Sequence, residues 1–438
     1  MKEILDQIKQ YIEEKQSTKT WVAGKDFVNY AGPYFNSDEF VSAAESLLGG
    51  WLVMGDKSLK FERAFPKQFG KENGILTNSG SSSNLLMLAS LTSKRGHHFP
   101  KGTKVLMPIA GFPTTLNPTL QLGFEPVFLD IELDTLNLDL TKAEDLIKEH
   151  NIRVMTFAHV LGNPPNMDQV MELVNKYNIV LLEDCCDALG STYDGKPLGS
   201  FGEMASCSFY PAHHMTMGEG GFVACKTYEQ EIILRSFREW GRGCYCVGPE
   251  ANKLKCGTCG KRFQEWIPTM PGEIFDHKYV YDEIGFNLKP IEIQSAMGLH
   301  QLEKLPAIHA LRRRNYQLLF DIYSKYEEFF HLPRAQAKSD PSWFAFPLTI
   351  RKDAPFTRSE IVDYLEENLI QTRPYFAGNI MLQPAYSHIM NPQDAKNNFP
   401  VATQVMTNTY FHGTSPVITP EQISYIGEKV DGFMSLFI

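Results

Sequence analysis

The sequence predicts an α/β chain in which a large domain built on a mostly parallel sheet is followed by a smaller C-terminal α/β domain. Two observations lead there. From Glu72 to Lys226 short β-rich runs alternate with helical stretches, the order that β-α-β units require. The 438 residues are also 43% hydrophobic and 12% aromatic, material for a large core and more than one domain.

The opening MKEILDQIKQYIEEKQ sets apolar and charged residues at helical spacing, without the apolar run or cleavage site of a secretion signal. GILTN then reads as a strand before the helical SSNLLMLASLTSK, and KVLMPIA as a strand before the segment through Leu122. PVFLD precedes a helix near Leu140 to His150, VMTFAHV a helix near Met167 to Tyr177, and IVLLEDC closes the series. Ligands of such sheets sit at the carboxyl ends of the strands. ASCSFY and GGFVACK are two further strands, with Gly218, Gly220 and Gly221 marking the turn before the second. Segment 240–285, rich in Gly, Cys, Pro and aromatic residues, reads as an inserted loop, and a long helical pattern runs from Pro290 to about Lys325. The expected division is 1–310 for the N-terminal helix and large domain, loop included, and 311–438 for the small domain.

Lys+Arg 42 against Asp+Glu 51 gives a formal net charge of −9 with no long run of like charge, which gives a nucleic-acid or anionic-membrane surface no support. No apolar stretch approaches the roughly 20 residues of a bilayer span. A cytoplasmic protein with small-molecule ligands is expected. Its eight cysteines are too few for a disulfide scaffold, so their clustering points to metal or redox chemistry.

Two segments carry the chemistry, NIVLLEDCCDALGS (Asn178 to Ser191) and SFYPAHHMTMGEGG (Ser208 to Gly221). With them the chain resembles the DegT/StrS sugar aminotransferase and dehydratase family of fold-type I pyridoxal phosphate enzymes, whose members show E-D at a strand end, then S-F-x-x-x-K and G-E-G-G. The resemblance runs from about Asn29 to the C-terminus. The family's lysine position holds His213. An imidazole cannot form the Schiff base that a lysine amine forms with the cofactor, yet it is a good proton acceptor near neutral pH. Members with this exchange are dehydratases that retain pyridoxamine 5′-phosphate (PMP), so the resemblance makes His213 the base and His214 a neighbour without a role.

The resemblance also implies the cofactor contacts. Asp184, at the end of IVLLE, matches the aspartate that meets the pyridine nitrogen, and Asp187 a further cofactor-side contact. In NSGSSSN (Asn78 to Asn84) Ser81 and Ser82 match phosphate ligands, where a turn entering a helix offers N–H groups and hydroxyls to an anion. Ser208 matches another phosphate ligand, Phe112 in GFPTT the aromatic residue stacked on the ring, and Asn287 in GFNLKPIEIQSA a phosphate contact donated by the neighbouring subunit of a homodimer.

The cysteines give a second signal. Cys186 is followed after 57 intervening residues by Cys244, then by Cys246, Cys256 and Cys259. Cys207 and Cys225 fall in predicted strands and read as small buried hydrophobes; Cys185 has no assignment. In the iron-sulfur dehydratases of the family, which act on a CDP-linked 4-keto-6-deoxyglucose, one cysteine near the aspartate and three in this loop hold a two-iron two-sulfur ([2Fe-2S]) cluster. The first two spacings agree here. The last gap is longer, and TCGKRF aligns Cys259 as the fourth ligand with Cys256 as its competitor. A zinc site of Cys244, Cys246, Cys256 and Cys259 is the alternative; it would not need Cys186.

The resemblance thus implies a PMP-dependent dehydration at C3 of a nucleotide-linked 4-keto-6-deoxyhexose, feeding 3,6-dideoxyhexoses into surface polysaccharide, with a flavin or iron-sulfur reductase as electron donor. A lysine-free aminotransferase or 3-deoxygenase, with structural zinc and no external electrons, is the alternative within the family. A catalytically silent subunit that keeps the fold is a further one.

Overall fold

The computed structural model describes residues 1–18, 20–244, 246 and 256–438. Residues 245 and 247–255 of the inserted loop lie outside the described residues. Seven strands form the central sheet: β1 (Asn73–Thr77), β2 (Lys104–Pro108), β3 (Glu125–Leu129), β4 (Val154–Ala158), β5 (Val180–Asp184), β6 (Met204–Ser208) and β7 (Gly221–Cys225). Their order is β1-β7-β6-β5-β4-β2-β3, and only β7 runs against its neighbours. A sheet covered on both faces needs strands apolar on both sides, as in VLLED, where every residue is buried.

Alternate residues serve two cores. Ile75, Val105, Val154, Val180 and Leu182 pack on one face; Leu76, Leu106, Met155 and Leu181 pack on the other. The period of two puts Asp184 on the face of Leu182 and Glu183 on the opposite one. Glu183 is fully buried there, accepting from Gly199 N–H at 2.8 Å and Gly202 N–H at 2.6 Å, with a nitrogen of His159 2.9 Å away.

The helices Gly80–Ser90, Ala143–His150, Met167–Tyr177 and Glu292–Tyr323 match the sequence patterns. Helices Ser37–Leu48, Asp56–Ala64 and Tyr228–Arg238 do not appear in that reading. A four-stranded antiparallel sheet follows, with Phe330–His331, Ala345–Ile350, Thr409–Gly413 and Arg373–Pro374 in that spatial order. Residue 310 falls inside the 32-residue helix Glu292–Tyr323, which links the two sheets. Val28 forms a parallel bridge with Ile370 and packs in the third core with Phe346 and Leu348 of the second sheet. In the inserted loop, Phe263–Gln264 pairs with Phe275–Asp276, and Trp266 stacks on His277 with ring centroids 3.9 Å apart.

Candidate active site

The carboxyl ends of β1 and β5 and the turn after β6 open onto one cavity of about 940 Å³. Its wall brings together Ser81, Phe112, Asp184, Cys186, Asp187, Ser208 and His213, seven residues the sequence reading had singled out. No lysine lines it among the described residues.

Asp184 is 5% exposed and converged upon by donors. Asn84 Nδ2 donates to Oδ2 at 2.7 Å and Thr115 Oγ1 at 3.3 Å; Cys186 N–H donates to Oδ1 at 3.1 Å and Ser206 Oγ at 3.3 Å. The carboxylate is thereby fixed in orientation at the strand end. Asp187, one turn on, is 8% exposed; burial, and then the negative charge of Asp184, push its carboxyl up to about 7, opposed by an N–H from Leu161 and the charge of Arg312. Leu161 has φ 54°, a left-handed backbone rare for leucine.

His213 Nδ1 lies 3.5 Å from Asp187 Oδ1, too far for a hydrogen bond, and this buried nitrogen has no hydrogen-bond partner among the described residues. Burial draws the imidazole down to about 4; the charge of Asp184 opposes that and the charge of Arg312 adds to it. The ring is therefore neutral at pH 7. Phe344 packs against it at 5.3 Å between centroids. Arg312, fully buried on the long helix, donates to the carbonyls of His213 at 2.9 Å, Ala212 at 3.2 Å and Phe344 at 3.1 Å. It ties the histidine turn to the second sheet. His214 is buried away from the cavity wall, with a ring nitrogen 2.7 Å from the Ser342 carbonyl.

At the helix Gly80–Ser90, the cap is Ser79, whose Oγ accepts from Ser82 N–H. Ser81 is exposed to the cavity. Ser82 is buried instead, its hydroxyl donating to Asn78 Oδ1 at 2.6 Å, and does not line the wall. A Cβ on Gly80 would lie 2.5 Å from Ser208 Cβ and 3.1 Å from Cys186 Sγ, so the missing side chain lets β6 approach the helix end. Asn287 is exposed, bridged to Glu239, and outside this cavity.

In the loop, Cys246 contacts two other thiols. Cys246 hydrogen-bonds with Cys259 and Thr258 and lies against Cys244; burial holds Cys244 up, while those bonds hold Cys246 down against its own burial. Cys256 is exposed. Cys207 and Cys225 are buried in β6 and β7. Among the described residues, one group of three holds its metal-type atoms within 4.8 Å of one another, His159, Glu183 and Cys185 behind the sheet.

Residues 33–431 match the model of the DegT/DnrJ/EryC1/StrS aminotransferase family. The chain belongs to this family. Within it, the lipopolysaccharide biosynthesis protein RfbH of Salmonella typhimurium strain LT2 is 40% identical over 431 residues, covering 98% of this chain and 97% of that protein. The dTDP-4-dehydro-2,6-dideoxy-D-glucose 3-dehydratase of Saccharopolyspora spinosa is 40% identical over 435 residues, covering 99% and 92%. Among solved structures, Escherichia coli GDP-4-keto-6-deoxy-D-mannose-3-dehydratase with bound hydrated pyridoxal phosphate (PLP) superimposes with a TM-score of 0.80 at 26% identity, over 92% of this chain and 99% of that one. The fold-type I architecture of the family is thus the fold of this chain.

Asn84, Thr115 and Arg312 were not singled out from the sequence. Asn84 and Thr115 stand inside the quoted NSGSSSN and GFPTT segments, so position alone could have suggested them. Arg312 carries no local signal.

Proposed function

We propose that the chain is a PMP-dependent dehydratase that removes the C3 hydroxyl of a nucleotide-linked 4-keto-6-deoxyhexose, with His213 as the base where other family members use lysine. The observation that carries this reading is the cavity wall itself. It pairs a neutral imidazole with the Asp184 carboxylate and, among the described residues, contains no lysine.

The residues fit the cofactor. Gly80 leaves a cradle that a Cβ would fill, bordered by the hydroxyls of Ser81 and Ser208 and the helix N-terminus, and this end suits the phosphate. Bound there, PMP supplies an amine for the C4 keto group and a ring that accepts electrons. Asp184 would hold a proton on the ring nitrogen, and Phe112 in the same wall would cover the ring face. His213 would take the proton from the cofactor's C4′, and Arg312, bonded to the His213 carbonyl, holds the turn that carries it.

Cys186 in the cavity wall and the loop thiols Cys244, Cys246 and Cys259 are the proposed ligands of a [2Fe-2S] cluster, which would supply single electrons. The contact of Cys246 with Cys259 and the exposure of Cys256 favour Cys259 as the fourth ligand. They also weigh against a four-cysteine zinc site that would need Cys256. A flavin or iron-sulfur reductase would deliver the electrons. By the resemblance to the iron-sulfur dehydratases the nucleotide would be CDP, and the setting a cytoplasmic homodimer in which Asn287 reaches the partner's phosphate site.

Borohydride reduction of the purified protein followed by peptide mapping tests the cofactor mode. No pyridoxyl-lysine is expected; a stoichiometric adduct at any lysine would overturn it.

A further inference from the structure

The cavity wall contains a single cationic side chain of the lysine or arginine type among the described residues, Arg373, and proton transfer at C4′ has no use for it. Arg373 stands on the short edge strand Arg373–Pro374 of the second sheet, paired with Thr409–Gly413. Its guanidinium carbon lies 4.3 Å from the centroid of the Tyr30 ring, and Tyr30 lines the same cavity. One nitrogen, Nη1, donates to the Thr372 carbonyl at 2.6 Å. The wall also holds three carboxylates, Asp184, Asp187 and Glu219, and among the described residues Arg373 forms an ion pair with none of them.

A guanidinium stacked on an aromatic face keeps its N–H donors in its own plane, directed past the ring. With Nη1 on Thr372, a fork of in-plane donors remains. That geometry matches two oxygens of a phosphate or carboxylate. The lining is mostly apolar around it, with Phe112, Phe376, Phe344 and Phe411 among its residues, so a charge contact there is weakly screened. Two anions have to be placed if the proposed reaction runs here. The cofactor phosphate belongs with the Ser81 and Ser208 hydroxyls at the helix N-terminus. The keto sugar is uncharged, which leaves the diphosphate linking it to its nucleoside.

We propose that Arg373, braced on Tyr30, is the diphosphate-binding residue for the nucleotide-linked substrate. This rests on the dehydratase reading, and it concerns binding only. The competing anion of the same chemistry is the carboxylate of an amino-acid donor such as glutamate, which an aminotransferase would need.

The test is titration calorimetry of the cofactor-loaded protein with CDP, GDP and dTDP, the corresponding monophosphates, and glutamate. For whichever diphosphate binds the parent most tightly, Arg373→Gln should raise Kd about 10- to 100-fold, since a charge-assisted bidentate contact is lost. The monophosphate should lose less. Arg373→Lys keeps the charge without the fork and should fall between parent and R373Q. Both variants should keep the parent's cofactor absorption spectrum, which certifies the fold. The proposal fails if R373Q holds the diphosphate within about twofold of the parent, if the parent binds none of the three, or if R373Q loses glutamate and not the diphosphate. Proton exchange at C4′ needs no measurement in these variants, so failure here leaves the role of His213 to be judged separately.

Discussion

Two buried groups of the site titrate in opposite senses, and separating them by mutation makes their environments measurable. Asp187 is pushed from an ordinary 3.8 up to about 7, so between those values the folded chain holds a proton that the unfolded chain has released, and stability falls as pH rises. His213 is drawn from 6.5 down to about 4. Between those values the unfolded chain holds the extra proton, and stability rises with pH. At about 1.36 kcal/mol per pH unit, the first is worth roughly 4 kcal/mol and the second roughly 3 kcal/mol. In the parent they nearly cancel from pH 4 to 6.5. His213→Asn removes the rising part, and its stability should drop by about 4 kcal/mol between pH 4 and 7, relative to the double variant His213→Asn/Asp187→Asn. Asp187→Asn should instead gain about 3 kcal/mol between pH 4 and 6.5 on the same scale. Urea unfolding of the cofactor-stripped proteins at half-unit pH steps reads both. A flat His213→Asn curve would mean that Asp187 is already ionised in the folded site, and the account of its burial beside Asp184 would be refuted.

Gly80→Ala should improve helix propensity yet lower PMP affinity about 5- to 150-fold, because overpacking against Ser208 costs about 1–3 kcal/mol; a spectroscopic titration with unchanged affinity would contradict the cradle. Cys186→Ser, purified without oxygen, should lose iron and visible colour while substrate dehydration remains measurable. Unchanged iron content, or zinc in the parent, would remove the cluster assignment.

The strands of the large sheet were legible because buried parallel strands are continuous apolar runs, and Asp184 because it ends one of them. Helix Ser37–Leu48 was not, and its packing explains why. It buries Ser37, Glu39 and Ser46, with Glu39 accepting from Gln301 and Lys304 of the long helix at 2.7 and 2.5 Å. Meanwhile Phe40, Leu47 and Leu48 face outward. An apolar stripe that does not mark the buried side defeats a reading by hydrophobic period. Arg312 was invisible for another reason: its contact with His213 spans 99 residues, and an arginine on a long helix ordinarily reads as a solvated charge. Ser81 and Ser82 could not be separated in the sequence. Adjacent helical residues point about 100° apart, and here one hydroxyl meets the cavity while the other turns to Asn78.

The central claim is that His213 moves the C4′ proton, and the most direct measurement is release of tritium from C4′-labelled PMP when the nucleotide-linked 4-keto-6-deoxyhexose is added. His213→Asn should bind cofactor and substrate as the parent does and release label about 10²- to 10⁴-fold more slowly, the usual contribution of general acid-base catalysis. Release within a few-fold of the parent would show that another group is the base, and the lysine-to-histidine exchange would then have to be explained without it.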